Sequence, residues 1–146
     1  MEILVVSVCA WAITQLLKGI VVLIQRKQFD FSAIIAPGGM PSSHSAIVSA
    51  LAASVAIVDG LGSVSFAITT IFALVVMYDA AGLRRSVGKQ AVVLNRILKE
   101  LRERRSISYF EKDLRELVGH STFQVIIGAC LGVGVSFIWF LWLSPR

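Results

Sequence analysis

Residues 3–24 read ILVVSVCAWAITQLLKGIVVLI, a run of 22 residues with a single charge, Lys18. Coiled as an α-helix, that run is about 33 Å long, enough to cross a hydrocarbon core of about 30 Å. It does not read as a signal peptide. Glu2 is the only charge before it, the run is longer than a signal-peptide apolar region, and no small-residue cleavage site follows. A membrane anchor is expected instead. Lys18, in its last third, either snorkels toward Arg26 and Lys27 or faces a polar site.

Three more apolar stretches follow, at about Ser43–Val58, Ser63–Ala81 and Ser121–Leu143. Hydrophobic residues make up 56% of the 146 and charged residues 16%, which excludes a disordered chain and argues against an ordinary soluble domain. The expected fold is all-α: an integral membrane helical bundle of about four transmembrane helices plus a cytoplasmic amphipathic helical segment, as one domain over 1–146. The second stretch is short for a span, and its Ser45, Ala46, Ser49, Ala50, Ala53 and Ser54 imply close packing against another helix. Gly128-x-x-x-Gly132 in the fourth carries the same signal. Pro37, Gly38, Gly39 and Pro41 punctuate the loop before Ser42, and Asp59–Gly62 makes a brief turn.

Between the third and fourth stretches the pattern changes. Val87, Ala91, Leu94, Leu98 and Leu101 recur at helical spacing, with Lys89, Arg96 and Lys99 on other faces. The reading preferred for this segment is a charged surface helix packed on its own protein. Ser108-x-x-Glu111 has the form of a capping box, so a second short helix is expected there.

The net charge of +5 is concentrated: ten of the 14 Lys and Arg lie between Arg84 and Arg115. Beside apolar spans such a block suggests an anionic membrane surface, and no nucleic-acid partner is expected. With the N-terminus outside, twelve of the 14 cations fall in two cytoplasmic loops, as the positive-inside rule prefers. The starts of the second and fourth spans and the end of the third then share the cytoplasmic interface. Cys9 and Cys130 sit inside apolar runs, where neither a disulfide nor a metal site is expected.

The two histidines of the chain, His44 and His120, both stand at predicted helix starts. Each is flanked by small hydroxyl residues, in Ser42-Ser43-His44-Ser45 and Gly119-His120-Ser121-Thr122. A lone interfacial histidine usually just bonds a neighbour, but two in matched positions point to shared chemistry. Helix N-termini offer backbone N–H groups and a positive dipole end to phosphate. The histidines supply a nucleophile and a general acid. Lys18, Arg84, Arg85 and Arg115 are the candidate phosphate-binding cations. Taken alone, Arg84 and Arg85 would read as topology anchors. Asp79 is harder to dismiss, because a carboxylate inside an apolar span costs roughly 2.5–3.5 kcal/mol on insertion scales. It is expected to pair with an arginine or orient a histidine. The chain lacks HExxH, a paired Asp-x-Asp and a phosphate-binding glycine loop of the Walker type, so no metal and no cofactor are expected.

Gly38-Gly39-Met40-Pro41-Ser42-Ser43-His44-Ser45-Ala46 resembles the Pro-Ser-Gly-His motif of the type 2 phosphatidic acid phosphatase and vanadium haloperoxidase superfamily. The chain is more closely similar to a small bacterial and plant branch of divergent membrane proteins. That branch also carries Tyr78-Asp79-Ala80-x-Gly82-x-Arg84-Arg85, Gly88-x-Gln90-Ala91, Leu94-Asn95 and Glu116-Leu-x-Gly119-His120. The resemblance implies that His120 attacks phosphorus to give a phosphohistidine and that His44 protonates the leaving oxygen. It further implies that Lys18 and Ser43 contact phosphate; the flanking hydroxyls, Ser42 among them, are expected on their own account either to cap the helices or to hold phosphate oxygens. Two positions depart from the superfamily: Leu114 stands where it has an arginine, with Arg115 one step away, and Gln124 stands where it has an aspartate. Asp79 with Arg84 or Arg85 is expected to replace that pair.

The resulting expectation is an integral membrane phosphatase of a bacterial cytoplasmic or plastid membrane, its active site facing the cytoplasm. Its substrate would be a lipid phosphate monoester or pyrophosphate, such as phosphatidylglycerol phosphate, phosphatidate or a prenyl pyrophosphate. The alternative is a catalytically inactive relative that binds anionic lipid or scaffolds a complex; a transporter subunit rests on Lys18 and Asp79 alone. Four spans, against the usual six of the superfamily, raise the expectation of a homodimer.

Overall fold

The computed structural model describes residues 1–26, 40–105 and 120–143, with side chains described for 1–24, 40–82, 86–100 and 120–143. Among the described residues there is no β-strand. Among the described residues five helices form: α1 Glu2–Arg26, α2 Ser43–Asp59, α3 Val64–Ala81, α4 Leu83–Arg105 and α5 Thr122–Ile138, the last continued by a π-helical turn at Trp139–Leu143. Among the described residues three helical runs, Glu2–Ile24, Val64–Glu100 and Thr122–Leu143, each contain an apolar window long enough to cross a membrane, and α2 is a shorter apolar helix. The expected bounds of all four spans agree with these helices to within a few residues.

α2 is the centre of the bundle. It packs against α1, α3 and α5, and its buried residues, Ser43, Ser45, Ala46, Val48, Ser49, Ala50, Ser54 and Val55, are nearly all small. Small side chains let three neighbours approach one helix closely. In a bilayer, where burial from lipid brings little hydrophobic gain, close packing and interhelical hydrogen bonds hold helices together. α5 comes nearest. It turns Val125, Gly128, Gly132 and Ser136 inward, a stripe at helical spacing. A Cβ on Gly128 would collide with the Ser42 carbonyl oxygen, and one on Gly132 with the Ala46 carbonyl oxygen, besides lying 2.9 Å from Ala50 N. Further along, the Ser54 hydroxyl donates to Ser136 Oγ at 3.1 Å, and the Ser136 hydroxyl donates to the Ala50 carbonyl at 2.9 Å. The paired positions advance together, 42 with 128, 46 with 132, 54 with 136, so α2 and α5 run parallel.

α2 and α3 are antiparallel, joined by the turn Gly60–Ser63. Gly60 has φ +88°, a conformation glycine adopts without penalty. Ser63 caps α3: its Oγ accepts from Phe66 N–H at 3.1 Å while its hydroxyl donates to the Gly60 carbonyl at 2.9 Å. At its other end α3 hardly stops. Gly82 N–H donates to the Tyr78 carbonyl at 2.8 Å and Ser86 N–H to the Gly82 carbonyl at 3.0 Å, so the hydrogen-bond ladder runs on into α4. Among the described residues α4 makes extensive contact only with α3, and Val87, Val93, Leu94 and Ile97 are exposed. The packing expected for this amphipathic helix on the rest of the protein is therefore not seen among the described residues. The capping box expected at Ser108–Glu111 lies outside them.

Candidate active site

Both histidines stand at helix starts because serines cap those helices. Ser42 is the N-cap of α2; its Oγ accepts from the Ser45 backbone N–H at 3.4 Å and from the Ser45 hydroxyl at 3.0 Å. His44 therefore lies in the first turn of α2. Ser121 is the N-cap of α5, and His120 immediately precedes it. The Ser121 N–H donates to Gln124 Oε1 at 2.9 Å, and the Gln124 N–H donates to Ser121 Oγ at 3.3 Å, a complete capping box.

Two backbone bonds lock these starts together. The Ser42 N–H donates to the Gln124 carbonyl at 3.2 Å, and the His120 N–H donates to the Ala80 carbonyl at 3.2 Å. The first ties α2 to α5; the second ties the residue before α5 to the end of α3, beside Asp79. The histidine rings end up with centroids 6.3 Å apart and planes at 61°. His120 is only 4% exposed, whereas His44 is half-buried and lines a cleft together with Asp79. The structure thus brings His44, His120 and Asp79 to one end of the bundle, where the N-termini of α2 and α5 also point. That combination suits a phosphate, which is drawn by N-terminal dipoles and flanked by two imidazoles.

Other expected site residues are placed as follows. Lys18 is 4% exposed, on the face of α1 that also buries Ala10 and Thr14. Ser42 and Ser43 are buried, and the Ser42 hydroxyl is engaged in its cap. The backbone of Arg84 and Arg85 forms the first turn of α4, close after Asp79, but their side chains lie outside the described residues, as does Arg115. Among the described residues no three His, Cys, Asp or Glu side chains gather as metal ligands would.

Gln124 has a structural task that its place in the sequence motif does not suggest. Its side-chain oxygen closes the α5 cap. The Ser-x-x-Gln spacing from Ser121 is the available signal, since it has the capping-box form. One of the three glycines of α5 bears on the site directly: Gly128 is what lets Ser42, two residues before His44, sit against α5.

The chain belongs to the Divergent PAP2 family, whose sequence profile matches residues 1–135. It is 36% identical over 136 residues to the uncharacterized membrane protein YuiD of Bacillus subtilis (strain 168), covering 87% of this chain and 86% of that one. No solved structure matches the chain significantly. This is an all-helical membrane protein of a PAP2-related branch.

Proposed function

We propose that the protein is a membrane phosphatase that releases inorganic phosphate from a lipid phosphate monoester or pyrophosphate. The observation that carries this reading is the pair of imidazoles 6.3 Å apart at the starts of two helices whose N-termini face the same end. In the proposed reaction a ring nitrogen of His120 attacks phosphorus and an N–P bond forms. The P–O bond to the lipid breaks, and the proton of the His44 imidazolium passes to the leaving oxygen. Neutral His44 then takes a proton from water as that water attacks phosphorus. The N–P bond breaks, phosphate leaves and His120 is restored. Asp79 acts as an orienting carboxylate, with Lys18, Arg84, Arg85 and Arg115 as cations for the phosphate, Ser43 at the α2 N-terminus and no divalent metal required. The spacing of charges along the chain supports a cytoplasmic-facing site.

A second reading is a phosphatase-like protein without activity. Gln124 favours it: this neutral side chain is held in a helix cap, at the position where the superfamily has a carboxylate to stabilise an imidazolium. A phosphate-release screen over lipid phosphates in detergent separates the two. Release that is lost in His120→Ala and survives dialysis against EDTA supports the enzyme. No release from any member of the panel supports the inactive relative, and activity lost to EDTA and restored by Mg²⁺ would make Asp79 a metal-ligand candidate.

A further inference from the structure

A cleft of about 600 Å³ lies over α2 between α1 and α3. It exists because α1 and α3 both pack on α2 without extensive contact with each other. Ile47, Val48 and Leu51 of α2 form its floor. Leu4 of α1 and Phe72 and Val75 of α3 form its rims and are 66%, 53% and 61% exposed. Among the described lining residues the polar ones are His44 and Asp79 at one end and Ser7 of α1. His44 opens α2 and Asp79 stands near the end of the antiparallel α3, so they share that end. From there the apolar lining continues seven residues along each helix, to Leu51 and to Phe72, about 10 Å of axial length.

An apolar slot with open rims, on helices whose outer surface meets hydrocarbon, holds water poorly: among the described residues the one polar group on its walls beyond the His44 and Asp79 end is Ser7, whose hydroxyl already donates to the Ile3 carbonyl at 2.8 Å. We infer that this cleft binds one hydrocarbon chain of the molecule whose phosphate lies between His44 and His120, and that the chain enters sideways between α1 and α3. The inference rests on the phosphatase reading for the position of the phosphate and goes beyond it in naming a tail site and a route of entry. A slot about 10 Å long has room for an alkyl chain beside the polar end. The substrate class is therefore a lipid phosphate held by one of its chains, and a water-soluble sugar or nucleoside phosphate has nothing to place there.

The test uses the purified full chain and monomeric alkyl phosphates of two to eight carbons. Each methylene that leaves water for the cleft is expected to raise kcat/KM by up to about fourfold, levelling off once the slot is filled. Val75→Trp, which narrows one rim, is expected to lower kcat/KM for octyl phosphate at least tenfold more than for ethyl phosphate. Ile68→Trp, exposed on α3 and outside the cleft, is expected to leave the chain-length slope intact. A wild-type slope of zero, or a Val75→Trp slope equal to the wild-type slope, overturns the tail site while leaving the phosphatase standing. Absence of release from every ester fails the phosphatase instead. The cleft is then read by photolabelling in vesicles that contain phosphatidate with a photoreactive chain. Labelling at Ile47 and Leu51 that is competed by plain phosphatidate and not by phosphatidylcholine supports the site. Uniform labelling that also covers Ile68 and Ile71 overturns it.

Discussion

At the scale of single residues the arrangement assigns different tasks to side chains that look alike in the sequence. In the proposed reaction His120 and His44 do the chemistry. His44→Ala should lower kcat by about 10²–10⁴-fold for an alkyl leaving group and far less for a nitrophenyl one, which needs little protonation. A comparison of the two esters in the same variant checks this, and equal losses would remove the general acid from His44. Ser121 and Gln124 are asked to hold a helix start. Ser121→Ala should cost about 1 kcal/mol of stability. Gln124→Glu, which preserves the capping box, should melt within a degree or two of the wild type, whereas Gln124→Ala melts lower. Thermal melts in detergent measure both. The caps at Ser42 and Ser121 are legible from the sequence, because a serine before an apolar run has the form of a helix start. The engagement of Gln124 is hidden by its alignment with a superfamily aspartate, which draws attention to charge and away from hydrogen-bonding geometry.

At the scale of elements, the approach of α5 to α2 sets where the two histidines stand. Gly128 meets the Ser42 carbonyl, and Gly132 meets Ala46 and Ala50. Gly128→Ala must push Ser42 away, and with it the first turn that carries His44. Overpacking of this kind costs about 1–3 kcal/mol, and the site should lose most of its phosphate release. A methyl group on Gly134 would have nothing within 4 Å, so Gly134→Ala should retain both stability and release. Parallel melting and activity measurements on the two variants decide it, and a fully active Gly128→Ala would mean that the α2–α5 contact does not position the site. Gly128-x-x-x-Gly132 is visible as a small-residue motif, but its partner is not, since the choice of α2 over α1 or α3 is made by tertiary packing. The junction of α3 and α4 is also illegible. The third stretch is expected to end at about Ala81, yet i→i−4 backbone bonds to and from Gly82 link it to the next helix.

At the scale of the whole molecule, a small-residue α2 with α1, α3 and α5 packed around it explains both the tight α5 contact and the cleft between α1 and α3. The four apolar helices and the all-helical class follow from hydropathy and length. The cleft does not, because it arises where two helices that share a neighbour fail to meet. The proposed orientation is tested with single cysteines at Ser32 and Ser106 in a background lacking Cys9 and Cys130. Both should resist a membrane-impermeant thiol reagent in intact cells and react after lysis, given the twelve cations assigned to the inner side. Labelling of both in intact cells would reverse the topology.

The central claim is covalent catalysis at His120, and trapping the intermediate tests it most directly. Purified protein is mixed with lipid phosphates carrying radiolabelled phosphorus and quenched in alkali, where a phosphohistidine survives. The account predicts label on the wild-type chain, in a peptide containing His120, and none on His120→Ala. Label that persists on His120→Ala, or phosphate release with no labelled chain, would contradict it.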